Sequence, residues 1–198
     1  GVYGYSGQTL ETINADLATN FFTPLAAGSI RPQLVIGHAL LENDIAVAPS
    51  NAQIKQRLDM WLANMRGTWP GVRILLCTPR PSYSYDTSAK VAAFNYAVEY
   101  TKSLDDSFSV FVADVSIGYQ DPANPGIPLA GYTDASVHPL PKGAVVNAKI
   151  IAKTMRRIVP VVLRDWTALS ANITLGGSIS AAGTRVTGTA PTSGLVGS

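Results

Sequence analysis

Apolar residues recur along this chain in two rhythms. Three short, nearly unbroken runs, residues 33–38 around Leu34-Val35-Ile36, residues 72–78 around Ile74-Leu75-Leu76-Cys77 and residues 108–114 around Val110-Phe111-Val112, end in Pro, Gly or polar residues. Such runs predict strands buried on both faces. Around them apolar positions fall at helical spacing: Leu10, Ile13 and Leu17; Ile54, Leu58, Trp61, Leu62 and Met65; Val91, Phe94, Val98 and Thr101; Val145, Ala148, Ile151, Ala152, Met155 and Ile158. Ser50 predicts an N-cap for the second of these helices, and Pro141 a first helical turn for the last. Strand and helix therefore alternate, which with right-handed crossovers predicts an α/β domain whose parallel sheet carries helices on both faces. Between Gly118 and Gly131, Pro122, Pro125, Gly126 and Pro128 predict a loop without regular structure. After Pro160 the character changes to short β-branched, Gly-punctuated runs, residues 172–180 and 184–189. The reading is an α/β domain over 1–165 and, over 170–198, a β-rich appendage or the opening of a second domain, too short to bury a core of its own.

Composition narrows the function classes. Charged residues make up 14% of the 198 and the net charge is +2, with Lys and Arg scattered, so no basic stripe proposes a nucleic acid partner. A weakly charged surface rich in small residues suits an extracellular or particle-borne protein. Cys77 is the single cysteine, which excludes an internal disulfide and a cysteine-rich metal site, and its apolar run predicts a buried small hydrophobe. No apolar run approaches the roughly 18 residues of a membrane span, and no basic-then-apolar signal opens the chain. Gly1 is not an initiator methionine, so the sequence reads as a processed or excised piece.

The candidate chemistry collects at predicted strand exits, where ligands of open α/β sheets bind. Asp134 stands four residues before His138, one of two histidines, between the Pro/Gly-rich stretch and the last helix. Imidazole is the usual general base near pH 7, and a carboxylate fixes its tautomer and stabilises its charged form; the same pattern also describes a plain surface turn. Glu42-Asn43-Asp44 follows the first apolar run. There Asn43 either offers its amide N–H to a developing oxyanion or joins Asp44 in shaping a turn. His38 reads as a packed strand-end residue and is left out of the site. Gly4-Tyr5-Ser6-Gly7 feeds a helix whose N-terminus is either open to an anion or ordinarily capped. Residues 79–85 either line a cleft or form a stiff surface connection.

Taken together, these motifs resemble the SGNH/GDSL hydrolases, esterases built on a flavodoxin-like sheet. Gly4-Tyr5-Ser6-Gly7 looks like the family's second sequence block, which implies that Gly4 gives a backbone N–H to the oxyanion hole. Glu42-Asn43-Asp44 looks like the third, implying a side-chain N–H from Asn43. Asp134 and His138 look like the fifth, implying His138 as base and Asp134 as its orienting carboxylate. The chain departs from the family in three ways. It has no Gly-Asp-Ser block, so the nucleophile is absent, and neither Ser6 nor Ser136 has that setting. Leu41 stands at the third-block glycine, and Asp134 and His138 are four apart where the family has three, a spacing that could turn the carboxylate off the ring. The Gly/Thr-rich tail is similar to the junction after such domains in phage tails and tailspikes. The resemblance thus implies a serine esterase without metal or organic cofactor. Its expected role is removal of O-acetyl groups from surface polysaccharide, on a virion, as a homo-oligomer that would be a trimer in a tailspike. Its serine would come from a companion segment bearing the Gly-Asp-Ser strand. A catalytically inactive carbohydrate-binding or structural module on the same fold is the alternative.

Overall fold

The computed structural model of the chain describes residues 7–17, 32–134, 138–170, 177–179 and 186–188. The three apolar runs become β1 (Leu34–Gly37), β2 (Arg73–Cys77) and β3 (Val110–Ala113), all parallel, in the order β1-β2-β3. Helices α1 (Leu10–Asp16), α2 (Glu42–Ala46), α3 (Asn51–Thr68), α4 (Ser88–Ser103) and α5 (Pro141–Ser170) complete the expected α/β architecture. Ser50 caps α3 in a reciprocal box: its hydroxyl accepts from Gln53 N at 3.3 Å while Gln53 Oε1 accepts from Ser50 N at 2.9 Å. On α4, the Thr87 hydroxyl caps the helix by accepting from Lys90 N at 3.3 Å, without a reciprocal bond.

Successive strand residues point to opposite faces of a sheet. Val35, Ile74, Leu76, Val110 and Val112 face one core, shared with Leu10 and Ile13 of α1, the Ile54/Leu58/Trp61/Leu62/Met65 stripe of α3 and Phe94 of α4. Ile36, Leu75 and Phe111 lie side by side in register and so form a row on the other face. There the Arg157 guanidinium of α5 lies over the Phe111 ring at 5.7 Å. Phe111 and Leu75 are covered, at 1% and 0% exposure, whereas Ile36 at the β1 end of the row is 48% exposed. A side chain at Gly37 would have to push its neighbours aside. A Cβ there would lie 2.7 Å from Leu40 Cδ1 and 3.0 Å from both Leu76 and Trp61.

Four elements depart from expectation. Glu42-Asn43-Asp44 forms the short helix α2 instead of a turn. The Pro-rich stretch contains a two-stranded antiparallel hairpin, β4 (Gln120–Asp121) and β5 (Asn124–Pro128). A two-stranded ribbon has outward-facing N–H positions that proline can occupy without breaking a ladder. Helix α5 buries Gly143, Asn147, Thr154 and Ile158; of the apolar stripe read from the sequence Ile158 is buried and Ile151 and Met155 half-buried, but Val145, Ala148 and Ala152 are exposed, so the contact face is rotated towards the Asn147/Thr154 side. Two polar residues stay in that face because each has a partner: Thr154 Oγ1 donates to Ile150 O at 3.2 Å, and Asn147 meets His38. Close approach at Gly143 turns the helix the same way, since a Cβ there would come within 2.2 Å of Tyr132 O. Finally, α5 continues through Pro160 to Ser170, in a stretch whose Leu163, Arg164, Ala168 and Leu169 favour helix.

By its internal contacts the chain divides at Ile158/Val159. The second unit contains, besides the end of α5, an antiparallel pair, β6 (Gly177–Ile179) and β7 (Val186–Gly188), within the runs read as strands.

Candidate active site

Because the three strands are parallel, their carboxyl ends share one edge of the sheet. Thr78 ties two of the exits together there: its N–H donates to Ala113 O at 3.1 Å, its hydroxyl donates to Asp114 Oδ1 at 3.1 Å and accepts from Ser116 N at 3.0 Å. The β2 exit carries Arg80. Its Nε and Nη2 donate to the two Glu42 oxygens at 2.6 and 2.7 Å, a bidentate pair with both side chains buried. Glu42 opens α2, so this pair fixes the helix that carries Asn43. Tyr85 adds a third hold, donating from its hydroxyl to Glu42 O at 3.3 Å. It packs on Phe94 with ring centroids 5.6 Å apart and is itself fully buried, and burial pushes its hydroxyl well above the ordinary range. The exit loop is thus largely core, with Tyr83 its exposed aromatic. Burial also pushes the Cys77 thiol up to about 12, fitting the inert small hydrophobe expected of it.

Asn43 does not face an open cleft with its whole amide. Its Nδ2 donates to Gln8 O at 2.9 Å, which leaves the second Nδ2 proton without a partner among the described residues. Next to it, the fully buried Asp44 accepts from Leu10 N at 2.7 Å and from Arg57 Nη1 at 2.7 Å. Burial raises the Asp44 pKa against the pull of these donors. With Thr9 as N-cap, the start of α1 is therefore met by the chain's own carboxylate. Asn43 and Asp44 together hold the N-terminal loop against α2 through contacts more than thirty residues apart in sequence. Gly4, the other implied oxyanion donor, lies outside the described residues, as do Ser6 and Ser136.

Asp134 and His138 meet. The Nδ1 of His138 is 2.8 Å from Asp134 Oδ2, while Asp134 Oδ1 accepts from His138 N at 3.1 Å and Asp134 N donates to His138 O at 2.9 Å. A bridge between Thr133 and Pro139 closes the turn. The fourth residue of spacing therefore keeps the carboxylate on the ring, because both backbone ends of the turn are pinned. With Nδ1–H given to the carboxylate, the basic lone pair resides on Nε2. The His138 side chain is 77% exposed. The turn rests on the start of α5: Leu140 N donates to Tyr132 O at 2.8 Å, and Tyr132 packs edge-on against the buried Tyr119 at 5.8 Å.

Two residue pairs of this edge were not legible as site features: Glu42 with Arg80, and His38 with Asn147. The signal available was weak. It consisted of a charged residue directly after Leu40-Leu41 and an arginine between two prolines, in a chain where charge is scarce. Among the described residues no group of three His, Cys, Asp or Glu side chains could hold a metal ion, and no helix is long and apolar enough to cross a membrane.

Comparison with known proteins supplies the fold and no closer kinship. A crystal structure of an acetyl esterase, a serine-to-alanine mutant with acetate ion, is similar over 82% of this chain and 71% of its own, at TM-score 0.52 and 21% identity. A Streptococcus pneumonia protein provisionally named a platelet activating factor is similar over 74% of this chain and 68% of its own, at TM-score 0.59 and 16% identity. The chain shares its fold with an acetyl esterase. No family model matches the sequence, and no curated protein does.

Proposed function

We propose that this chain forms the greater part of a serine ester hydrolase of the SGNH type. The observation that carries this reading is the 2.8 Å Asp134–His138 contact beside the edge where the strand exits collect. The fold shared with an acetyl esterase supports it. In the reaction, a serine Oγ bonds to the ester carbonyl carbon as His138 Nε2 takes its proton. Gly4 N–H and the second Asn43 Nδ2 proton stabilise the oxyanion. Collapse breaks the C–O bond, and the leaving alkoxide takes the proton back from His138; water then repeats the sequence on the acyl-enzyme and releases the acid. The 198 residues hold no Gly-Asp-Ser, so the serine comes from a companion segment. The substrate is an O-acetylated surface polysaccharide and the setting a phage tail or tailspike, where the protein is a trimer; the Gly/Thr-rich segments after α5 and the sparse surface charge favour this setting.

The test uses the protein together with its companion segment. His138→Ala is expected to abolish release of acetate from p-nitrophenyl acetate and from an O-acetylated glycan, a loss of several orders of magnitude, with an unchanged circular dichroism spectrum. Asn43→Ala should cost less, on the order of 10²–10³ in kcat. Unchanged hydrolysis in His138→Ala would place the base elsewhere. Glycan binding with no hydrolysis by the wild type would favour the binding module.

A further inference from the structure

His38 at the exit of β1 has no part in the chemistry above, yet it is held from across the fold. Its Nε2 lies 2.8 Å from Asn147 Nδ2, a residue 109 positions away. An amide nitrogen can only donate, so Nε2 accepts and the ring proton sits on Nδ1. His38 is not packed as its place at the strand end suggested but exposed at the surface. Desolvation of its ring and the nearby Arg80 charge still hold its pKa below the ordinary value, against the opposing pull of Glu42, which favours the neutral ring this bond requires. Asn147 is 7% exposed, and among the described residues the other end of its amide, Oδ1, has no hydrogen-bond partner. A half-satisfied buried amide is costly, so the single bond it makes to His38 is the main compensation for burying it.

What that bond joins gives it a role. On one side, Gly37 is closely packed by Leu40, Leu76 and Trp61, Ala39 is in the left-handed region at φ 58°, and α2 with Asn43 begins at Glu42. On the other side, Asn147 sits in the second turn of α5, whose start carries the pinned Thr133–Pro139 turn and His138. Each half is internally fixed, and the His38–Asn147 bond spans them.

We infer that His38 is a positioning residue. Its hydrogen bond to Asn147 sets where the His138 turn stands relative to the Asn43 helix, and His38 itself does not touch the substrate. The inference rests on the ester hydrolase reading for its kinetic consequence, but not for its structural one.

The test compares His38→Leu, which removes the acceptor but keeps bulk, with His38→Gln, whose Oε1 can still accept from Asn147. Both are made in the protein with its companion segment. His38→Leu is expected to lower kcat for p-nitrophenyl acetate on the order of 10–100-fold with KM within about twofold, since small misplacements of reacting groups cost about that much. His38→Gln should recover most of the loss, and His38→Leu combined with Asn147→Leu should cost no more than either alone. In ¹⁵N-resolved spectra, the His138 ring and Asn43 side-chain resonances should both move in His38→Leu and return in His38→Gln. Should His38→Leu not fold, Asn147→Ala carries the same expectations. If the wild type hydrolyses no ester, the hydrolase reading fails while the spectra still decide the clasp. Unmoved resonances in His38→Leu overturn the inference. So does a His38→Gln enzyme as impaired as His38→Leu, because the imidazole would then be acting on the substrate.

Discussion

Glu42 and Arg80 face each other out of water, and removing one of them leaves the other's charge buried. Arg80→Met is therefore expected to destabilise the fold by roughly 3–5 kcal/mol, while Arg80→Met with Glu42→Leu should lie much closer to wild type, since an apolar pair of similar volume often replaces a buried ion pair at little cost. Urea unfolding of the two variants measures this. A double variant as unstable as the single would mean that the Glu42 carboxylate stabilises the fold through a further contact that Glu42→Leu removes, its Oε1 accepting from Arg80 N at 3.4 Å. At this scale the sequence was readable where partners are neighbours. Asp134 and His138 are four residues apart and bond within one turn. Glu42 and Arg80 are 38 apart and His38 and Asn147 are 109 apart, so what pairs them is the parallel sheet that brings separate strand exits to one edge. Asn43 shows the same limit. Its candidacy was visible, but its bond to the Gln8 carbonyl was not.

Elements were legible wherever an apolar run or a helical stripe had one interpretation, as in β2, β3, α3 and α4. Strand β1 forms where its run predicts a strand but is not buried on both faces, since Leu34 and Val35 are half-buried and Ile36 exposed, at the open edge of the sheet. They were misread where a polar residue had found a partner inside a contact face, as Asn147 and Thr154 have in α5, or where proline sits on an outward edge, as in β5. The entry to β3 gives a prediction of its own. Asp106 follows the end of α4, and its Oδ1 accepts from the N–H groups of Phe108, Ser109 and Val110 at 2.8, 2.7 and 2.8 Å, around Ser107 at φ 57°. Slight burial pushes its pKa up, but the Ser109 hydroxyl and these three N–H groups outweigh it and lower the pKa to about 2. Unfolded, the same carboxyl titrates near its ordinary value of about 3.9. A folded pKa below the unfolded one contributes stability that is present above pH about 4 and is lost as the pH falls towards about 2. Melting temperatures followed by circular dichroism from pH 6 to pH 2 should therefore fall steeply below pH 4, and less steeply in Asp106→Asn, which starts lower at pH 6. Asp105, also lowered, against Arg157, adds its own part of the slope and remains in the variant. Equal slopes in both proteins would show that Asp106 does not link this turn to pH.

For the whole molecule, the telling feature is the row Ile36-Leu75-Phe111, covered at β2 and β3 and half open at β1. Among the described residues no strand pairs with the outer side of β1. An apolar strand edge with unpaired N–H and C=O groups is a template for another strand, and each such group buried without a partner costs about 1–3 kcal/mol. The reaction proposed above also draws its serine from a further segment. One apolar strand ending in Gly-Asp-Ser, laid parallel along β1, would cover Ile36, pair that edge, and bring its serine to the side of the sheet where the strand exits lie. Native mass spectrometry of the purified, undenatured protein is expected to show this chain bound to such a segment, as a nicked fragment or as part of another chain. Hydrogen exchange at Val35, Ile36 and Gly37 should be slow in that complex and fast in the 198-residue chain produced alone. A chain that alone is a stable folded species, with those amides as protected as the ones in β2, would refute both the docked strand and the borrowed serine. The esterase reading would then need its nucleophile from within these 198 residues.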